Sequence, residues 1–329
     1  MIISKTPVRI SLGGGGTDLP SYYEKKEGFL IAGAIDKHVY VTVNKEFFGN
    51  YSLKYSKIEK VKNICDIKHN LIKNALKYLD IKPGIEITSL ANIPARTGMG
   101  SSGSFLISLL NSLHLYKGSS VPKRQLAEEA CEIEIDIMKE HEGKQDKFVC
   151  AFGGIRGYKF HKNGRVSIIP LVNEDMIKID LEQNLHLFYT GSIRNVKASK
   201  ALEKQDKRIK KDDSEMMNYM DEIKEIGLAS KDVLEEGNFG FFGSLMHRHW
   251  CIKKKYSKDT SNKEIDKIYD IALKKGAIGG KMIGAPGGGF LMFYHSGKLK
   301  HKWDFISAMK TLGLKYIDFK FDMEGVRVL

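Results

Sequence analysis

Hydrophobic and polar positions alternate from the first residues onward. Ile2 to Leu12 reads as a strand, broken by the run Gly13 to Gly16. Phe29 to Val43 is rich in β-forming residues, most densely at Val39-Tyr40-Val41-Thr42-Val43. Residues 68–80 read as a helix, and Gly84 to Leu90 alternates like a strand. A loop from Ile93 to Gly103 runs into an apolar helix predicted over Ser104 to Tyr116. A second helix starts near Pro122, a favoured first-turn residue. Leu126, Ala130, Ile133 and Ile137 recur along it at helical spacing, and Gly143 ends it. Phe148 to Tyr158 is small and Gly-rich and reads as a turn between strands.

The second half opens on a strand, Leu185 to Tyr189. Helical patterns follow over 213–236, 239–256 and 262–275. A strand pair is predicted around Gly284-Ala285-Pro286-Gly287-Gly288-Gly289, then a helix near 300–312. In the last strand Ile317, Phe319 and Phe321 alternate with Asp318, Lys320 and Asp322. Strands and helices mix without steady βαβ alternation, so the fold class is α+β. The domain boundary is expected near residue 175, giving units 1–175 and 176–329.

Composition changes this picture little. A chain of 329 residues with 42% hydrophobic and 28% charged positions is an ordinary globular sequence with room for a sizeable core. The formal charge of +13 comes mainly from scattered Lys, as in a solvated surface, with Arg sparse. No basic-aromatic or zinc-finger pattern accompanies it, so neither nucleic acid nor a membrane is the expected partner. Cys65, Cys131, Cys150 and Cys251 lie far apart, which argues against a disulfide framework or a Cys-based metal site. The start, a strand leading into a Gly run, is unlike a signal peptide. No apolar stretch approaches the ~20 residues of a membrane span, and the cytoplasm is the default location.

The densest local signal is Pro94-Ala95-Arg96-Thr97-Gly98-Met99-Gly100-Ser101-Ser102-Gly103-Ser104. Three glycines let the backbone close on a ligand, two serines supply hydroxyls, and the following helix aims free N–H groups back at the loop. That is a phosphate-binding arrangement. Gly98-x-Gly100-x-x-Gly103 also fits the dinucleotide fingerprint, but the acidic residue expected about 20 positions on falls in a predicted helix. A Walker A loop would need Gly-Lys-Ser/Thr, which does not occur. A plain helix cap needs less than this loop provides.

The same loop resembles the nucleotide-phosphate loop of the GHMP kinases, the family of galactokinase, homoserine kinase and mevalonate kinase. Met99 and Gly103 stand where the family pattern has Leu and Ala. Lys281-Met282-Ile283-Gly284-Ala285-Pro286-Gly287-Gly288-Gly289-Phe290 resembles the family's C-terminal Gly-rich motif, with Pro286 in place of a common Gly. Pro7 to Asp18 resembles its substrate-side motif. The three occur in family order and span nearly the whole chain. The resemblance implies the GHMP kinase fold: an N-terminal domain like domain 2 of ribosomal protein S5, a ferredoxin-like C-terminal domain, and a site between them. It implies ATP and Mg2+ as cofactors, with ATP held by Pro94, Arg96, Gly98, Met99, Gly100, Ser101, Ser102, Gly103 and Ser104.

The resemblance also assigns roles. In Gly143-Lys144-Gln145-Asp146, the aspartate would accept the acceptor's proton or orient its hydroxyl, with Arg9 beside it. Glu134, twelve positions earlier, and Ser102 would contact the metal. Gly15, Gly16, Thr17 and Asp18 would meet the substrate, together with Lys144, Gln145, Gly287 and Gly288. Arg9 to Pro20, with Ala34 to Val41, resembles the heptose 7-phosphate kinase branch of the family. That branch phosphorylates the anomeric oxygen to give a 1,7-bisphosphate for GDP-heptose and surface polysaccharide synthesis. Arg156, Arg194 and Lys144, in expected site loops, are candidates for the substrate phosphate. The alternatives are a fucokinase- or galactokinase-like sugar 1-kinase, and a nucleotide- or RNA-binding protein that reuses an S5-like fold. The expected partners are ATP and a sugar phosphate, and a homodimer stays open.

Overall fold

A computed structural model describes residues 1–191, 198–257, 260–284 and 289–329. Two sheets organise the chain. The first is built from β1 (Ile2–Gly13), β2 (Gly28–Lys45), β3 (Tyr51–Lys54), β4 (Ile58–Val61), β5 (Ile85–Ala91), β6 (Ile155–Phe160) and β7 (Val166–Pro170). The second contains β8 (Leu185–Tyr189), β9 (Gly279–Met282), β10 (Phe290–Tyr294) and β11 (Lys315–Ile317), in the order β11-β8-β10-β9 and antiparallel throughout. A last short strand, β12 (Arg327–Val328), returns to the first sheet and pairs with β1.

Helices cover these sheets. In the first half they are α1 (Pro20–Lys26), α2 (Asn70–Tyr78), α3 (Ser101–Tyr116), α4 (Lys123–Cys131) and α5 (Gln145–Phe152). In the second they are α6 (Glu174–Asn184), α7 (Ala198–Lys210), α8 (Ser214–Glu235), α9 (Phe239–Tyr256), α10 (Lys263–Lys274) and α11 (Leu299–Thr311). The larger core runs through β1, β2 and α3 and on into α8 and α9. A smaller one packs Phe188, Trp250, Phe293 and Phe305 between the second sheet and α10 and α11. No helix among the described residues is long and apolar enough to cross a membrane.

Strand β1 shows how the pattern places chemistry. Val8, Ile10 and Leu12 point into the core, so the intervening Arg9 and Ser11 face the other way. A register shift between Pro7 and Val8 interrupts the pairing with β2. Ser104 of α3 donates to the Pro7 carbonyl at 2.8 Å, and Ser108 to Ser4 at 2.9 Å. An apolar helix is thereby pinned to the strand by its own serines.

Three expectations need correction. The helix from Pro122 does not continue to Gly143: α4 ends at Cys131 and passes into a π-helical turn, Glu132–Ile137. The stretch Phe148 to Tyr158, read as a turn, begins inside α5 (Gln145–Phe152), which stops where Gly153 and Gly154 take positive φ, and ends inside β6. The last strand does not run through Phe321, because Phe321 bridges to Ile35 of the first sheet. There Asp322 accepts from Gly325 at 2.8 Å and bonds the His38 ring at 2.8 Å. The chain crosses from the first sheet to the second through α6, and β12 returns to the first sheet.

Candidate active site

A cleft of about 980 Å³ lies between the two halves. Its floor is the outer face of β1, where Arg9 is buried at 5% exposure. Arg9 donates through Nε at 2.8 Å and Nη2 at 2.6 Å to Oδ1 of Asp146, and through Nη1 at 2.6 Å to the Gly98 carbonyl. Its backbone N–H donates to Met99 at 2.9 Å. Burial opposes the guanidinium charge, but Asp146 outweighs it, and the Arg9 pKa is raised. One side chain thus joins the Gly-rich loop to the first turn of α5.

The Gly-rich loop opens onto the cleft. Pro94, Arg96, Gly98, Gly100, Ser101 and Ser102 line the cleft. Gly100 has left-handed backbone (φ +76°) and caps α3, whose free N–H groups therefore open onto the loop. Three of the expected contacts lie elsewhere. Met99 is buried, and Ser104 is turned to β1. Gly103 is a packing residue: a Cβ there would lie 2.9 Å from Cβ of Asp146. Gly284 and Gly289 flank the C-terminal motif with positive φ, and a Cβ on either would meet the carbonyls of Gly98 and Thr97 at 2.2 and 2.1 Å. The second half therefore rests on the loop backbone to backbone. Gly287 and Gly288 lie outside the described residues.

Of the residues expected to meet the substrate, Gly15, Gly16, Asp18 and Gln145 line the cleft. Asp18 clamps two segments: Oδ1 accepts from Gly16 N at 3.1 Å and Oδ2 from Gln145 N at 2.9 Å. Burial, with the Asp146 charge, raises its pKa against those hydrogen bonds. Thr17 is a loop anchor rather than a ligand, fully buried with its hydroxyl on the Gly14 and Phe29 carbonyls at 2.8 and 2.9 Å. The hydroxyl of Ser11 and Nε2 of Gln145 are buried without hydrogen-bond partners among the described residues, and both residues line the cleft.

The expected phosphate holders are not in this wall. Lys144 donates to the Gly164 carbonyl at 2.6 Å and lies 5.2 Å over the Tyr23 ring, away from the cleft. Arg156 donates to the Gly153 carbonyl at 2.9 Å from β6 and does not line the cleft. Both neighbour motif residues in sequence, but neither side chain lines the cleft. Arg194 lies outside the described residues.

Acidic groups gather beyond Asp146. The π-helical turn carries Glu134 into the cleft wall, while Glu132 turns outward to the Tyr78 hydroxyl at 2.8 Å. The buried Lys147 ammonium touches Glu134. Burial works against that charge, but Glu134 and Glu142 override it and raise the Lys147 pKa. Half-buried Glu142 is pushed up to about 8 by desolvation and by Glu134, Asp146 and Asp18, against the pull of Lys147. Among the described residues no three His, Cys, Asp or Glu side chains converge as a full metal cage. Ser102 and Glu134 line the same cleft, one hydroxyl and one carboxylate, a donor set that suits Mg2+, which takes few protein ligands and fills its sphere with phosphate and water.

Sequence reasoning did not find Glu142, Lys147 or the cations of the second half. His249, Lys253 and Lys281 line the cleft opposite Arg9. Lys281 opens the C-terminal Gly-rich motif, which is a usable signal. His249 and Lys253 sit in a helix with none.

Residues 70–154 match the family model for the GHMP kinases N terminal domain, and residues 230–300 that for GHMP kinases C terminal. The chain is 28% identical to the D-glycero-alpha-D-manno-heptose 7-phosphate kinase of Campylobacter jejuni, over 99% of this chain and 98% of that one. It is 25% identical over 88% of its length to the L-fucokinase/L-fucose-1-P guanylyltransferase of Bacteroides fragilis, of which it spans 34%. Among solved structures, a D-glycero-D-manno-heptose 1-phosphate kinase from Bacteriodes thetaiotaomicron superposes with a TM-score of 0.80 at 23% identity, covering 100% of this chain and 99% of that one. Galactokinase from Lactococcus lactis, with galactose bound, gives 0.78 at 17% identity, over 100% and 95%. Both domain models fall in order on one α+β fold, around one cleft, and the chain belongs to the GHMP kinases, ATP-dependent enzymes.

Proposed function

We propose that this kinase transfers the γ-phosphoryl group of ATP to the anomeric hydroxyl of D-glycero-D-manno-heptose 7-phosphate. The product would be the 1,7-bisphosphate, a precursor for GDP-heptose and surface polysaccharide. The observation that carries the chemistry is the Arg9–Asp146 pair on the cleft floor, against the Gly-rich loop. The full-length likeness to a heptose 7-phosphate kinase supports the choice of acceptor.

In this reading the ATP phosphates lie along Gly98 to Ser102, under the N-terminus of α3. Tyr55, His69 and Phe105 at the far end of the cleft give the base an aromatic wall. Arg9 occupies Oδ1 of Asp146 and leaves Oδ2 to meet the acceptor hydroxyl. As the acceptor oxygen bonds to the γ-phosphorus, the bond to the β–γ bridging oxygen breaks, Oδ2 takes the hydroxyl proton, and ADP leaves. Arg9 places its remaining positive charge beside the transferring group. Ser102 and Glu134 would hold Mg2+, which neutralises phosphate charge when bound.

A coupled assay of ADP release with heptose 7-phosphate, free heptose, fucose, galactose, homoserine and mevalonate tests this. Turnover highest with heptose 7-phosphate supports the assignment. Turnover highest with fucose would favour the activity named for the Bacteroides relative.

A further inference from the structure

Lys281 on β9 is 2% exposed, yet it forms no ion pair with a carboxylate among the described residues. Its ammonium donates to the Leu12 carbonyl at 3.0 Å and reaches Nδ1 of His249 at 3.3 Å. With Nδ1 accepting, the ring proton of His249 sits on Nε2, a donor for a ligand. One helical turn on, Lys253 reaches the Gly284 carbonyl. The charges acting on Lys281 are those of Lys253 and Arg9, both cationic, and they add to burial in pulling its pKa well down. His249 is pulled down by burial and by Lys281 and Lys253. A buried ammonium facing cations is costly until an anion arrives.

The cluster borders both sides of the cleft: Lys281 meets Leu12, and Lys253 meets Gly284, which packs on Gly98 of the nucleotide loop. Leu12 directly precedes the Gly13–Asp18 segment. The neighbouring wall belongs to α7, whose Gln205 donates to the Gly16 carbonyl at 3.3 Å. Lys281 therefore adjoins the acceptor loop and Lys253 stands between it and the nucleotide loop, whereas Ser101 and Ser102 lie at the start of α3. Lys144 and Arg156, the cations that sequence placed near the acceptor, are bound to carbonyls outside the cleft.

We infer that Lys281, His249 and Lys253 form the subsite for the phosphate monoester carried by the acceptor, so that the second half of the chain selects a phosphorylated sugar. This rests on the sugar-phosphate reading above. The ammonium groups and the imidazole Nε2–H donate to the phosphate oxygens, and the dianion supplies the negative charge that Lys281 does not meet among the described residues.

Two measurements on the wild type, Lys281→Met, Lys281→Arg and His249→Gln decide it. The first is kcat/KM for heptose 7-phosphate and for free heptose. The second is calorimetric titration of inorganic phosphate into protein saturated with magnesium and a non-hydrolysable ATP analogue, so that the nucleotide's own phosphates are in place. The inference expects the preference for the phosphorylated sugar to fall at least tenfold in Lys281→Met. Phosphate binding should weaken about tenfold in Lys281→Met and His249→Gln, and recover in part in Lys281→Arg. Phosphate binding equal in wild type and Lys281→Met overturns it. So does binding seen only without the ATP analogue, which would give the cluster to the γ-phosphoryl group. If the wild type uses free heptose as well as the 7-phosphate, the acceptor reading fails. A Lys281-dependent phosphate site would then be an anion site for something other than the acceptor, which also overturns the inference as stated.

Discussion

Arg9 holds a single oxygen of Asp146 with two nitrogens, at 2.8 and 2.6 Å, and no hydrogen bond among the described residues reaches the other oxygen. The carboxylate is thus fixed in position and still has one acceptor to offer. Asp146→Asn keeps the shape and removes the proton acceptor. It should lower kcat by roughly 10²–10⁴ and leave the KM for ATP little changed. Steady-state kinetics with ATP and acceptor varied separately check this, and an equal rise in both KM values would move Asp146 out of the reaction.

Gly103 was expected to touch ATP and instead packs α3 against α5. A methyl there would lie 2.9 Å from Cβ of Asp146 and 3.2 Å from its carbonyl carbon, so the two helices must part. Gly103→Ala should destabilise by about 1–3 kcal/mol and lower kcat more than ATP affinity. Thermal melts with nucleotide titrations read the two effects separately. A loss of ATP affinity alone would return Gly103 to the cradle.

Glu134 and Glu132 are distinguished by the π-helical turn. Glu134 lines the cleft against Lys147, and Glu132 bonds Tyr78 on the surface. Glu134→Gln should raise the magnesium concentration for half-maximal activity. It also leaves the buried Lys147 without that partner, a loss of about 3–5 kcal/mol by analogy with other broken buried pairs. Glu132→Gln should do neither. Magnesium titrations and denaturant melts of both variants give the answer, and the reverse pattern would place the turn in the wrong register.

Glu142 makes stability depend on pH. Its folded-state pKa, about 8, lies above the unfolded carboxyl value, so the native state holds this proton more tightly than the unfolded chain. The stabilisation is complete below the unfolded value near 4.5, falls as pH rises, and is lost above about 8. Glu142→Gln cannot ionise. Relative to wild type its melting temperature should rise between pH 6 and pH 9, and melts across that range without magnesium test it. A constant difference would exclude ionisation of Glu142 as the cause.

Much of the site could be read from local patterns, and the rest could not, for physical reasons. Ile2–Leu12 alternates and precedes a Gly run, so both β1 and its outward Arg9 were legible. Gly98 to Ser102 spells a Gly-rich loop and a helix start in consecutive residues. The end of α5 from Phe148 was obscured by Gly153, Gly154 and Gly157, which follow the helix and make Phe148 to Tyr158 look like a turn. Lys144 and Arg156 misled because adjacency to a motif does not fix the side of an element on which a long side chain emerges. The π-turn had no signature, since Ile133 and Ile137 suit an α-helix equally well. Lys281 and His249 meet only through the packing of β9 on α9, and no local pattern carries that contact.

The central claim is that Asp146, held by Arg9, serves phosphoryl transfer to the anomeric oxygen of a sugar phosphate. The most direct test is phosphorus NMR of the products from ATP, magnesium and D-glycero-D-manno-heptose 7-phosphate, with wild type and Asp146→Asn in parallel. The wild type should give ADP together with a second sugar phosphate signal coupled to the anomeric proton, and the variant almost none over the same time. ADP without an anomeric phosphate, or equal product from both proteins, would contradict it.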